Sequence, residues 1–231
     1  MDNTVVKTDF SNMEGTCCYC SEKSADLIRS SISRIPVNAI HFIGTGDYHY
    51  QTLFWLERLK EPFTLILIDH HPDDQAGAFG DELLSCGGWV TNARALPLCR
   101  KTIWIHDTGN ACCTHDRHKT EEPGLISETG PELEAAYLSV DIDILSTKYA
   151  HTNWSQGDMR LDTMLECLKR VREICAEGIL GVDICGECDV AESGNSALND
   201  RANATLLECF LSAYGSEDHD GNKNEITGGN R

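Results

Sequence analysis

The sequence predicts an α/β protein: three layers, α/β/α, around a central and mainly parallel sheet. Three observations lead there. Short apolar runs rich in β-branched residues alternate with longer segments of helical apolar spacing, an order that right-handed crossovers turn into a parallel sheet covered on both faces. The run Phe63 to Ile68 is apolar on both faces, as expected of a buried parallel strand. Polar clusters follow directly on the apolar runs, and in such sheets ligands bind beyond the carboxyl ends of the strands.

The elements follow in order. Val37 to Ile43 is a β-rich run that ends in Gly44-Thr45-Gly46 and reads as a strand. Tyr50 to Lys60 carries Leu53, Phe54, Leu56 and Leu59 at helical spacing. Phe63 to Ile68 is the second strand, Leu83 to Leu96 reads as a helix, and Thr102 to Ile105 as a strand. Residues 109–130 are polar and turn-rich, and are expected to form a surface loop. Ala135 to Ile142 is a strand, Asp158 to Cys175 an amphipathic helix, Ile179 to Ile184 a strand and Asn199 to Tyr214 the last helix. No internal repeat or long linker interrupts this order, so residues 1–214 are expected to form one domain. The tail 215–231 has almost no apolar residues and is expected to be disordered.

Composition narrows the function. At 231 residues the chain suits one core, since single cores reach roughly 200–250 residues. A formal net charge of −18 argues against nucleic acid and anionic membrane as partners, because both need a basic footprint. The longest apolar stretches, such as Leu65 to Ile68, fall far short of the roughly 20 residues that span a bilayer. Met1-Asp2-Asn3-Thr4 leads into no apolar run, so no signal peptide is expected. The 12 cysteines are then expected as reduced thiols in a cytoplasmic protein, several of them (Cys167, Cys175, Cys185, Cys209) serving as small core residues.

Three clusters carry chemistry. The strand ending at Ile68 runs into Asp69-His70-His71-Pro72-Asp73, where alternation lets Asp69, His71 and Asp73 face one way. A second strand ends in Ser139-Val140-Asp141-Ile142-Asp143, and a third in Gly44-Thr45-Gly46-Asp47-Tyr48-His49. Converging carboxylates repel and cannot all stay ionised without a cation. No lysine or arginine adjoins any of the clusters. A single Asp-x-Asp after a strand is often only a cap, but three such clusters at three strand ends point to metal. Mixed carboxylate and imidazole donors suit Mn²⁺ better than Mg²⁺, Fe²⁺ or Zn²⁺.

These motifs resemble those of the arginase and agmatinase (ureohydrolase) superfamily, whose members carry G-G-D-H, D-x-H-x-D and S-x-D-x-D in this order. The counterparts are Gly46 to His49, Asp69 to Asp73 and Ser139 to Asp143, and Asp183-Ile184-Cys185-Gly186-Glu187 looks like the family's strand-end glutamate. The resemblance spans about residues 37 to 214 and implies the arginase/deacetylase-like fold. Asp9-Phe10-Ser11, Cys86-Gly87-Gly88-Trp89-Val90 and Thr152-Asn153-Trp154 look closest to an arginase-like branch.

The resemblance implies two divalent ions, Mn²⁺ above all. His49, Asp69, Asp73 and Asp141 would hold one, and His71, Asp69, Asp141 and Asp143 the other. A water between them would attack a linear C–N bond of a guanidino, amidine or small amide substrate, and Glu187 would orient a cationic substrate group. Relatives are often homo-oligomers.

The chain also departs from the family pattern. Tyr48 separates Asp47 from His49, which leaves both as possible ligands, with His49 preferred. No histidine lies between Asp73 and His106, where arginases place a proton shuttle; His151, and more weakly His70, are the replacements to consider. Cys188-Asp189 stands where the family has Asn-Pro, so arginine itself is a poor candidate substrate. A mononuclear zinc deacetylase-like amidohydrolase, or a non-catalytic metal-binding relative, are the competing readings. Cys17-Cys18-Tyr19-Cys20 contains C-x-x-C but has no second pair at zinc-knuckle spacing, so a structural zinc site is not expected there. Trp89 and Trp154 line the pocket or fill the core. Cys112-Cys113 has no assigned role.

Overall fold

The computed structural model describes residues 3–76, 83–107, 112–116, 124–125, 135–175, 177–188 and 196–214. Its strands are β1 (Val5–Lys7), β2 (Tyr19–Cys20), β3 (Ile40–Gly44), β4 (Phe63–Ile68), β5 (Leu84–Ser85), β6 (Cys99–Asp107), β7 (Cys112–Asp116), β8 (Gly124–Leu125), β9 (Ala136–Asp141) and β10 (Ile179–Cys185). The helices are α1 (Glu22–Ile32), α2 (Gln51–Leu56), α3 (Trp89–Arg94), α4 (Leu161–Ile174) and α5 (Ser196–Tyr214).

One sheet runs in the order β1-β3-β10-β9-β4-β6-β7-β8. The first six of these are parallel, and β7 and β8 add on antiparallel at one edge. A second small sheet pairs β2 with β5, Tyr19 opposite Ser85 and Cys20 opposite Leu84, which draws the N-terminal segment over the carboxyl end of β4. Strands β4 and β9 are buried at every residue, as parallel strands covered on both faces must be.

Each face of the sheet has its own core. On one, Met164, Leu168 and Val171 of α4 and Ala202, Leu206 and Phe210 of α5 meet Ile66, Leu138 and Val182. On the other, Ile28 of α1, Trp55 of α2 and Trp89 of α3 meet Leu65, Leu67 and Tyr137. His41 belongs to this interior and not to a site. It stacks on Trp55 at 3.9 Å, its ring nitrogens lie beside the carbonyls of Pro36 and Val182, and burial pushes its pKa down to about 4.

Several boundaries differ from those the sequence suggests. The helix expected over Tyr50 to Lys60 ends at Leu56, because Arg58 and Leu59 donate to carbonyls three residues back and tighten the last turn. The helix expected over Leu83 to Leu96 starts only at Trp89; Gly87-Gly88 disfavours helix, and Leu84–Ser85 pairs as a strand instead. Residues 109–130, expected as a loop, contain β7 and β8. The tail 215–231 lies outside the described residues. Helix α1 carries its own signal: Ser21 caps it by accepting from the Ser24 amide, and Ala25, Ile28 and Ile32 form one buried stripe. Cys167 is disulfide-bonded, against the expectation of reduced thiols, whereas Cys17, Cys18, Cys86 and Cys185 are free. No described helix is long and apolar enough to cross a membrane.

Gly181 of β10 has no room for a side chain. A Cβ there would stand 2.2 Å from the Val37 carbonyl and 2.8 Å from the Tyr137 ring. Gly181→Ala should lower the melting temperature by several degrees, reflecting roughly 1–3 kcal/mol of overpacking. An unchanged thermal melt would mean that this junction is looser than described.

Candidate metal centre

Three strand ends deliver the polar clusters to one cavity of about 460 Å³, whose lining includes His49, Asp69, His71, Asp73, Asp141 and Asp143. Asp69 and His71 follow β4, and Asp141 ends β9. Asp141 accepts the Asp143 amide at 2.8 Å, which closes the short 3₁₀ turn Ile142–Ile144 and turns Asp143 inward. His49 follows a 3₁₀ turn, Gly46–Tyr48, just past β3.

The contacts are short and heavily acidic. His49 Nδ1 faces three carboxylates at once: Asp73 Oδ2 at 2.9 Å, Asp69 Oδ2 at 3.3 Å and Asp141 Oδ2 at 3.6 Å. One N–H satisfies one acceptor, and Asp69 Oδ2 is left buried with no well-formed hydrogen bond. His71 Nδ1 lies 2.8 Å from Asp143 Oδ2 and 3.7 Å from Asp69 Oδ1. Asp69, Asp73, Asp141, Asp143 and His49 are all buried, and among the described residues no lysine or arginine lines the cavity.

Electrostatics follow from that crowding. Burial and the Asp69 charge push Asp73 up to about 6. Burial, followed by the charges of Asp141 and Asp69, holds Asp143 well above the usual carboxylate range. Asp69 is held low: burial opposes this, but hydrogen bonds from His49 and His71 outweigh it. Hydrogen bonds to Asp143 and Asp69 raise His71 to about 10.

The surroundings fix each donor. Ser139 Oγ donates to Asp183 Oδ1 at 2.7 Å and so accepts from His49 Nε2 at 2.8 Å, which leaves the Nδ1 lone pair of a neutral His49 for a cation. Trp89 Nε1 donates to Asp73 Oδ2 at 2.8 Å, and Ser155 Oγ lies 2.9 Å from His71 Nε2. Asp73 holds φ +46°, a left-handed conformation uncommon outside glycine and of a kind that concentrates at functional sites. Gly186, at φ +96°, lets the backbone approach Asp141 where a Cβ would collide with its Oδ1.

Four of the residues considered from sequence are not brought in. Asp47 turns to the rim, where it accepts from Trp154 Nε1 and Asn153 Nδ2. Glu187 is held by Asn203 Nδ2 at 2.6 Å and does not line the cavity. The His151 backbone is clamped at both its amide and its carbonyl by the Asn199 side chain, and neither His151 nor His70 is among the lining residues. The parts that sequence reasoning left without a role are Ser139, Asp183 and the Trp89–Asp73 bond. Asp183 is a carboxylate inside an otherwise apolar strand, and that position was the available signal.

The donor set fits divalent cations: acidic oxygens and imidazoles from three strand ends converge, and the buried Asp69 Oδ2 has no well-formed hydrogen bond. No family model matches the chain. Among solved structures, the proclavaminate amidino hydrolase of Streptomyces clavuligerus is 17% identical and superposes with a TM-score of 0.59, over 84% of this chain and 72% of that one. An arginase from Medicago truncatula is 14% identical with a TM-score of 0.59, over 83% of this chain and 66% of that one. The chain therefore has an arginase-like fold. An uncharacterised protein of Thermotoga maritima is 30% identical over 179 residues, 74% of this chain and 68% of that protein. The chain belongs to that protein's family.

Metal binding here must displace protons. With His71 raised to about 10, its imidazole is charged at neutral pH, and a cation replaces that proton. Apparent Mn²⁺ affinity should therefore rise between about pH 6 and 9, by up to roughly tenfold per unit for each proton released. Calorimetric titrations in two buffers of different ionisation enthalpy measure this, and a flat affinity would contradict it.

Proposed function

We propose that the chain is a metal-dependent hydrolase of a linear C–N bond, acting on a guanidino, amidine or small amide substrate. The observation that carries this reading is the trio of carboxylates that share the single His49 Nδ1, Asp69 Oδ2 among them at 3.3 Å without a well-formed hydrogen bond. Two ions, Mn²⁺ by donor type, would be held by His49, Asp69, Asp73 and Asp141 and by His71, Asp69, Asp141 and Asp143. Bound there, such a pair supplies an ionised water near neutral pH and polarises the scissile carbon.

The chain's own groups do the rest. Asp183 and Ser139 keep His49 in the tautomer that presents Nδ1 inward. Trp89 holds Asp73, and Ser155 orients the His71 ring. Among the described residues the cavity wall carries no lysine or arginine, which favours a neutral or cationic substrate. With His49 and His71 assigned to the ions, no further histidine lines the cavity among the described residues, so the leaving nitrogen would take its proton from solvent.

A second reading is a metal-binding relative without turnover. It draws on the absence of His151 and His70 from the cavity lining. Turnover separates the two. Release of urea or ammonia is measured from a panel of guanidino, amidine and amide compounds with Mn²⁺ present. The hydrolase reading expects turnover by the wild type, reduced in Asp141→Asn by more than the roughly 10–100-fold that outer-shell changes cost. Metal-loaded protein that turns over none of the panel would support the binding-only reading.

A further inference from the structure

Two thiols and a carboxylate meet at the mouth of the cavity, apart from the cluster on its floor. Cys17 Sγ and Cys18 Sγ are 3.9 Å apart. Asp47 approaches both, with Oδ1 at 3.4 Å from Cys18 Sγ and Oδ2 at 3.8 Å from Cys17 Sγ. A tetrahedral zinc ion, with Zn–S near 2.3 Å and Zn–O near 2.0 Å, sets two sulfurs about 3.8 Å apart and sulfur and oxygen about 3.5 Å apart. The S···S edge matches that tetrahedron, and each sulfur has a different Asp47 oxygen within a few tenths of an ångström of the S–O edge, so that on binding one oxygen would come to serve both sulfurs.

Two independent features support a built site. Neighbouring side chains in an extended segment point opposite ways, but Cys18 has φ +58°, a left-handed conformation disfavoured for a side chain with a Cβ. That break in alternation lets both sulfurs reach Asp47. The Asp47 carboxylate is itself held, with Trp154 Nε1 at 2.9 Å on one oxygen and Asn153 Nδ2 at 3.2 Å on the other. Carboxylates that ligate metals are commonly held by hydrogen bonds of this kind. The C-x-x-C spacing is not what assembles the group, since Cys20 is buried and turns to the Ser21 carbonyl.

We propose that Cys17, Cys18 and Asp47 bind a thiophilic divalent ion of the Zn²⁺ type at the cavity mouth, with a fourth position open to solvent. This is independent of the hydrolase reading. Cys18, Gly46 and Trp154 all line the cavity, so an ion here pins the N-terminal segment to the turn after β3 and to the 153–154 segment, and shapes the entrance.

Cadmium titration of the full chain, followed by the ultraviolet thiolate-to-metal charge-transfer band, tests it. The wild type should develop the band with one tight equivalent. The band should vanish in Cys17→Ser/Cys18→Ser and persist in His71→Ala. It should also persist in Cys185→Ser, whose thiol lies beside Asp141 on the floor and is the other source of such a band. Asp47→Asn, which keeps both sulfurs, should bind at least tenfold more weakly, and it serves as the test should the double variant fail to fold. No band in the wild type, a band retained in the double variant, or a band lost in Cys185→Ser alone would overturn the proposal.

Discussion

Four carboxylates, Asp69, Asp73, Asp141 and Asp143, are buried around two imidazoles at the carboxyl ends of neighbouring parallel strands. Two unit charges about 4 Å apart repel by roughly 4 kcal/mol at an effective dielectric constant of 20. Several such pairs rival the whole stability of an ordinary domain, about 5–15 kcal/mol. The cluster therefore has to be neutralised, by protons or by cations. Without cations, the burden shows as raised carboxyl pKa values at Asp73, Asp141 and Asp143 and as strongly basic His49 and His71. Burial opposes charge on His49, and the Cys185 sulfur with the Asp69 and Asp73 carboxylates overcomes it.

The fold serves that cluster. Packing β4 and β9 side by side puts Asp69 and Asp141 at adjacent strand ends, and β10 brings Gly186 under Asp141. Rigidity comes from tryptophans that bond as well as pack: Trp89 holds the Asp73 carboxylate, and Trp104 donates to the Asp69 carbonyl at 2.9 Å. Backbone strain is found at Asp73 on the floor and Cys18 at the rim, both beside groups able to bind metal. Elsewhere among the described residues, positive φ is confined to glycine.

Much of this was legible in the sequence. The run Phe63 to Ile68, apolar on both faces, announced a central parallel strand, and the D-x-H-x-D, S-x-D-x-D and Asp47–His49 segments lie at strand ends. His49 lines the cavity, whereas Asp47, in the 3₁₀ turn before it, bonds to Trp154 at the rim. What stayed hidden depends on contacts across the chain. Nothing local to Cys17 and Cys18 shows that they meet Asp47, and nothing local to Glu187 shows that Asn203 engages it. The strands β7 and β8 escaped because edge strands need no apolar run. The end of α2 escaped because a tightening turn leaves apolar spacing unchanged.

The central claim is that the buried carboxylates are a cation site, and metal content per chain tests it most directly. Protein loaded with Mn²⁺ and freed of excess should carry two ions by elemental analysis, and His71→Ala or Asp143→Ala should carry fewer while melting cooperatively. Wild-type protein that retains no divalent ion would contradict the account and leave protonation alone to hold the cluster together.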